Sequence, residues 1–234
     1  MVSDLAVLYE DSDIVAVAKP AGVETPATEE WFRNKYPEAT LERPYVHRLD
    51  RDTSGVLLFA KNQEAYDFYR AAFHDRAVEK TYLAIVYGAP KEKRGKIDFD
   101  IGRSRKDFRL RSAQPKARGR LRDAVTRYEV VGETPGYAAL LVRPLTGRTH
   151  QIRVHLKAIH HPILGDPLYA PKRENALGLE RLALHAYALD LPLPRRSESR
   201  EDGRLIITAP VPPDFAAALA HFPGLRERFA ADTA

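Results

Sequence analysis

Apolar residues in this chain come in short runs separated by polar turns, and the spacing inside the runs changes character several times. Residues 5–9 and 14–20 are apolar runs divided by Glu10, Asp11, Ser12 and Asp13, which predicts a β-hairpin. Residues 56–60 predict a buried strand, entered through Thr53, Ser54 and Gly55. From 62 to 74 the period becomes helical, with Tyr66, Tyr69 and Phe73 on one side. Residues 80–88 alternate and are β-branched, a further strand ending at Gly88, Ala89 and Pro90. Residues 91–122 show no period and read as irregular, after which 124–131 and 137–144 resume strand character. The spacing predicts a helix over 149–159, with Thr146 or Thr149 as its cap. Strands over 181–191 and 204–209 and a short Ala-rich helix over 214–222 complete the pattern.

Strands gathered in runs with few helices between them predict an α+β fold around a mixed, largely antiparallel central β-sheet with flanking helices and loops. A doubly wound parallel sheet is disfavoured. The expected organisation is one domain over residues 1–234, with a candidate division into subdomains near 91–122, where a long insertion is the alternative.

Composition narrows the function. The chain is 44% hydrophobic and 29% charged, without an apolar run long enough for a membrane span or a secretory leader, so a soluble cytoplasmic protein is expected. Zero cysteines exclude disulfides, thiolate catalysis and thiolate metal sites. The net charge is +5. Between Lys91 and Arg127 fourteen lysines and arginines face five carboxylates, which suits either a solvated surface or a polyanionic partner.

Two segments could carry chemistry. Residues 47–55 place Asp50 and Asp52 among His47, Arg48 and Arg51, and fixed cations keep a carboxylate ionised, as nucleophilic or base chemistry requires. Charged loops nevertheless hold turn-capping, arginine-paired aspartates more often than catalytic ones. Residues 143–155 put Arg148 and Arg153 at a predicted helix start, which favours anions. The histidines at 150, 155, 160 and 161 lack same-face metal-ligand spacing, so no metal site is expected. Tyr82 is a sheet aromatic by position, or a stacking surface for an extruded base.

Taken in order, the blocks resemble the RluA family of pseudouridine synthases. They are Lys19-Pro20-Ala21-Gly22, the His-Arg-Leu-Asp-x-x-Thr-Ser-Gly pattern of 47–55, Lys80-Thr81-Tyr82, and then residues 124–128, 146–155, 161–166, 181–186 and 209–215. The resemblance implies the pseudouridine synthase catalytic fold and isomerisation of uridine in structured tRNA or rRNA, a reaction that needs no cofactor, and a monomer is the default expectation. It implies that Asp50, and not Asp52, is the catalytic residue, that Tyr82 lies against the target base, and that Arg153 pairs with the catalytic aspartate. Arg48 would fill the stack that the uridine leaves. RNA contacts are further expected at His47, Thr53, Arg103, Arg105, Arg109, Lys116, Arg148 and His150. Because the core begins within the first ten residues, the accessory N-terminal RNA-binding domain of many relatives is expected to be missing, leaving target choice to the core. Asp50 could attack the anomeric carbon or remove the proton from the neighbouring sugar carbon, and the residues do not choose between these routes. A non-catalytic RNA-binding protein and a carboxylate glycosidase are the alternatives. The latter expects a second acid, for which only Asp52 is near in sequence.

Overall fold

The computed structural model describes residues 4–105, 107, 110–113, 117–174, 177–194 and 203–230. In chain order these form β1 (Val7–Glu10), β2 (Ile14–Lys19), a 3-10 turn (Thr25–Thr28), α1 (Glu29–Lys35), β3 (Ser54–Ala60), α2 (Gln63–His74) and β4 (Glu79–Tyr87). Then come β5 (Arg94–Asp98), β6 (Ile101–Arg103), β7 (Arg111–Ser112), β8 (Arg118–Arg122), β9 (Val125–Thr134) and β10 (Tyr137–Pro144). The chain continues with α3 (Gln151–Ala158), β11 (Leu184–Pro192), β12 (Arg204–Thr208), α4 (Pro213–Leu219) and α5 (Leu225–Ala230). The expected α+β class, with strands paired largely antiparallel, is what the chain adopts. Two compact units divide it: residues 1–80 with 186–210, and residues 81–185 with 211–234. The segment 91–122 lies inside the second unit.

In the first unit the strand order is β1, β2, β3, β11, β12. The predicted hairpin forms β1 and β2, with Val7 opposite Val17, and the Asp11 carboxylate accepts the N–H groups of Asp13 and Ile14 at 2.8 Å to close the turn. Strands β2 and β3 are apolar at consecutive positions because both faces are covered. Ile14, Ala16, Val56, Leu58 and Ala60 pack with Ala65, Tyr69 and Ala72 of α2. The intervening Val15, Val17, Leu57 and Phe59 pack with Trp31 and Phe32 of α1, Phe32 stacking on Phe59 at 5.1 Å. Asn62 caps α2 by accepting the N–H of Ala65 at 2.9 Å.

In the second unit β4, β10, β9 and β5 form an antiparallel run, with Leu83 opposite Leu141 and Val142 opposite Tyr128. The stretch expected to be irregular instead forms β5 to β8. Strand β5 pairs with β9, where ion pairs Lys93–Glu133 and Arg94–Glu129 across the strands do what apolar alternation does elsewhere. Strands β7, β6 and β8 make a small separate sheet, seated on Val154 of α3 and on Tyr169 through Ile101, Ala113 and Ala124. Neither Thr146 nor Thr149 caps α3. His150 occupies the cap position in a left-handed conformation (φ 56°), and the Gln151 side chain satisfies the turn, its Oε1 accepting Thr146 Oγ1 at 2.7 Å and the Arg148 N–H at 2.9 Å. A long amide reaches both groups from inside the helix, which a short hydroxyl does not.

Candidate active site

The loop of residues 47–55 belongs to the first unit, and its backbone is fixed from both ends. His47 Nε2 accepts the Leu58 N–H at 3.1 Å while its ring stacks on Phe73 at 4.7 Å. A ring nitrogen that accepts an amide proton cannot carry one, and burial, reinforced by the positive charge of Lys80, pushes this imidazole down to about 3. Next, the buried Thr25 hydroxyl donates to the Leu49 carbonyl at 3.1 Å and accepts the Leu49 N–H at 3.2 Å. Beyond Asp50, Lys19 is 1% exposed and its Nζ donates to the carbonyls of Pro20 and Val23 at 2.7 Å and of Arg51 at 3.1 Å. The Thr53 N–H closes the turn on the Asp50 carbonyl at 3.1 Å. Thr53 and Ser54 are buried, and Gly55 (φ +122°) passes so close to the Ala186 backbone that a Cβ would stand 2.1 Å from its carbonyl oxygen.

Asp50 therefore sits half-buried on a backbone held on either side, the arrangement that keeps a reacting group aimed. Asp52 is engaged differently, accepting Arg51 Nε at 3.0 Å on the surface. Arg48 is exposed. Lys80 is half-buried, and its burial, then the charge of Arg76, lowers its ammonium to about 8.

Tyr82 and Arg153 belong to the second unit. Tyr82 is half-buried on β4, opposite Val142. Arg153, 2% exposed, presents Nε and Nη2 to the two oxygens of Asp166, each at 2.8 Å. Asp166 Oδ1 also accepts the N–H groups of Leu168 and Tyr169 at 2.9 and 3.0 Å. The Tyr169 ring lies under the Arg153 guanidinium at 5.1 Å, and its hydroxyl meets His150 Nδ1 at 3.0 Å and the Arg111 N–H at 2.9 Å. Buried Gln151 donates to the Val125 carbonyl and Thr126 Oγ1, both at 3.0 Å. His155 bridges Thr126 Oγ1 and the Phe99 carbonyl at 2.9 Å, and burial lowers its pKa.

Of the expected RNA-contacting residues, Arg103 and Arg105 are exposed, and Arg148 donates Nε to the Asp123 carbonyl at 3.0 Å. Arg109 and Lys116 lie outside the described residues. Lys19 and Asp166 fall within the quoted sequence blocks but carried no assigned role there, and Thr25 and Tyr169 lie outside those blocks. For Lys19 a signal was present, since an ammonium ending the apolar run of residues 14–18 must find partners when buried.

Residues 13–158 match the RNA pseudouridylate synthase family. The chain is 38% identical to an uncharacterised RNA pseudouridine synthase of Mycobacterium bovis, over 93% of this chain and 73% of the relative. It is 35% identical to tRNA pseudouridine synthase C of Haemophilus ducreyi, over 82% and 87%. The solved structure of human RNA pseudouridylate synthase domain containing 1 superposes with a TM-score of 0.74 at 29% identity, covering 93% of this chain and 89% of the other. Sequence and fold agree, and the chain belongs to the RluA-type RNA pseudouridine synthases, enzymes that isomerise uridine in RNA.

Proposed function

We propose that this enzyme isomerises a uridine of structured tRNA or rRNA, with Asp50 as the catalytic carboxylate and the target nucleotide swung out of its stack. The observation that carries the reading is the double anchoring of the Asp50 backbone, by Thr25 on Leu49 and by Lys19 on Arg51. Holding a reacting group in place before the substrate arrives removes an entropic cost from the barrier.

The reaction breaks the bond from the ribose anomeric carbon to a uracil nitrogen, joins that carbon to a ring carbon, and moves that ring carbon's proton off while the freed nitrogen gains one, with no net gain or loss of atoms or electrons. Asp50 either attacks the anomeric carbon, forming an ester that the rotated base displaces, or takes the proton from the adjacent sugar carbon and later returns it. Arg153, held by Asp166, serves as the fixed cation that the family resemblance assigns to the catalytic aspartate. Tyr82 stacks on the detached uracil, and Arg48 fills the gap in the RNA stack, offsetting part of the few kcal/mol that extrusion costs. His47 and Thr53 act from within the loop, while Arg103, Arg105, Arg148 and His150 meet the RNA backbone.

The test is pseudouridine mapping of tRNA and rRNA from cells lacking the gene and complemented with wild type or Asp50→Asn. Wild type restores a discrete set of sites and Asp50→Asn restores none. Identical maps for the two proteins would remove Asp50 from the chemistry.

A further inference from the structure

Strand register in the small sheet puts Arg103 directly opposite Arg111. Like charges at facing positions destabilise a sheet pair, so the arrangement calls for a counter-charge. Arg103 and Arg111 line a groove of about 390 Å³ together with Arg120, Arg122, Arg148 and Thr149, and among the described residues no carboxylate or aromatic ring lines it. Among the described residues Arg103, Arg111, Arg120 and Arg122 form no ion pair. Arginines elsewhere in the chain do, as in Arg94–Glu129, Arg181–Asp214 and Arg204–Asp190.

The groove is built on rigid supports. Tyr169 accepts the Arg111 N–H, and Arg148 is tied to the Asp123 carbonyl, so the two walls are tethered. Gly102, Gly119 and Gly147 among the lining residues leave the backbone open to close approach.

We infer that this groove binds successive phosphates of the RNA backbone. Guanidinium forks match phosphate oxygens in geometry as well as charge. Arginine contacts to phosphate oxygens position the RNA and set affinity without carrying sequence information. The inference rests on the RNA-modifying reading above and adds Arg111, Arg120 and Arg122 to it.

The experiment uses the full chain, total tRNA and rRNA as substrate, and the variants Arg120→Gln, Arg122→Gln, their combination, and the matching lysine substitutions. Arg94→Gln, an exposed arginine outside the groove, is the control. The double glutamine variant should raise KM about tenfold while kcat holds, and the slope of log affinity against log salt should shrink by roughly one for each phosphate no longer neutralised. The lysine variants should recover the salt slope but not the whole affinity. An unchanged slope and KM in the double variant overturns the inference. So does tight binding of inorganic tripolyphosphate that the glutamine variants abolish while RNA affinity stays put, because the groove would then serve small polyphosphates. If these variants lose RNA affinity although Asp50→Asn still modifies RNA, the catalytic proposal fails and the groove stands.

Discussion

Asp166 holds Arg153 through two parallel 2.8 Å hydrogen bonds, with both side chains almost wholly out of solvent. Such a pair is a poor source of net stability, but removing one partner strands the other as an uncompensated buried charge. Asp166→Asn should therefore cost about 3–5 kcal/mol in urea denaturation. Under the proposed mechanism its kcat falls further than the loss of folded protein explains. A variant of near-wild-type stability would contradict the account of Asp166 as the anchor of Arg153.

Asp50 and Asp52 stand two residues apart in different surroundings. Asp52→Asn removes only a surface pair with Arg51, which is worth about 0–1 kcal/mol, and should leave turnover close to wild type. Asp50→Asn should lower the single-turnover rate by at least about 10²–10⁴-fold. Comparable losses in both variants would show that the catalytic role had been given to the wrong carboxylate.

His47 makes the loop sensitive to acid. Its folded pKa is near 3 against an ordinary 6.5, so between these values the unfolded chain binds the proton and the folded one resists it. The stabilisation is complete above about pH 6.5 and drains away as pH falls toward 3. In His47→Gln this component disappears, so the midpoint of denaturation measured at pH 7, 5 and 4 should change less steeply than in wild type. Parallel curves would count against a neutral, amide-accepting His47.

Gly55 cannot accept a side chain. Its φ of +122° and the 2.1 Å approach of a would-be Cβ to the Ala186 carbonyl oxygen mean that Gly55→Ala must displace main chain. Expression and thermal melting should show loss of the fold or a destabilisation beyond about 3 kcal/mol, well above the ordinary effect of a point substitution. A variant that melts like wild type would refute the close approach.

Lys19→Met keeps the length of the side chain and deletes its ammonium. It leaves the carbonyls of Pro20, Val23 and Arg51 without that donor, at about 1–3 kcal/mol for each one that water fails to reach. Hydrogen exchange around residues 47–55 should quicken more than exchange in α2. Uniform exchange across the unit would mean that Lys19 does not specifically tether the loop.

Much of this was written in the spacing of residues. Continuous apolar runs at 14–18 and 56–60 announced strands buried on both faces, and the register of β2 against β3 realises that. Helix α1 escaped because its burial rests on the adjacent Trp31 and Phe32, which trace no period. Strands β5 to β8 escaped because main-chain pairing defines them, aided at β5 by cross-strand ion pairs, and pattern reading detects apolar alternation. The Asp50 loop was legible as a block, whereas its supports were not. Thr25 and Lys19 reach it from 24 and 32 residues away in sequence, distances over which local spacing carries no information.

Both compact units are assembled from separate stretches of chain, 1–80 with 186–210 and 81–185 with 211–234. On the ribosome this reverses the usual expectation that the amino-terminal part finishes folding first. When the Asp50 loop emerges, Ala186, against which Gly55 must pack, is still about 130 codons away, so the loop waits unfinished until those codons are read. Newly made protein should become competent for chemistry only after residue 210 clears the exit tunnel.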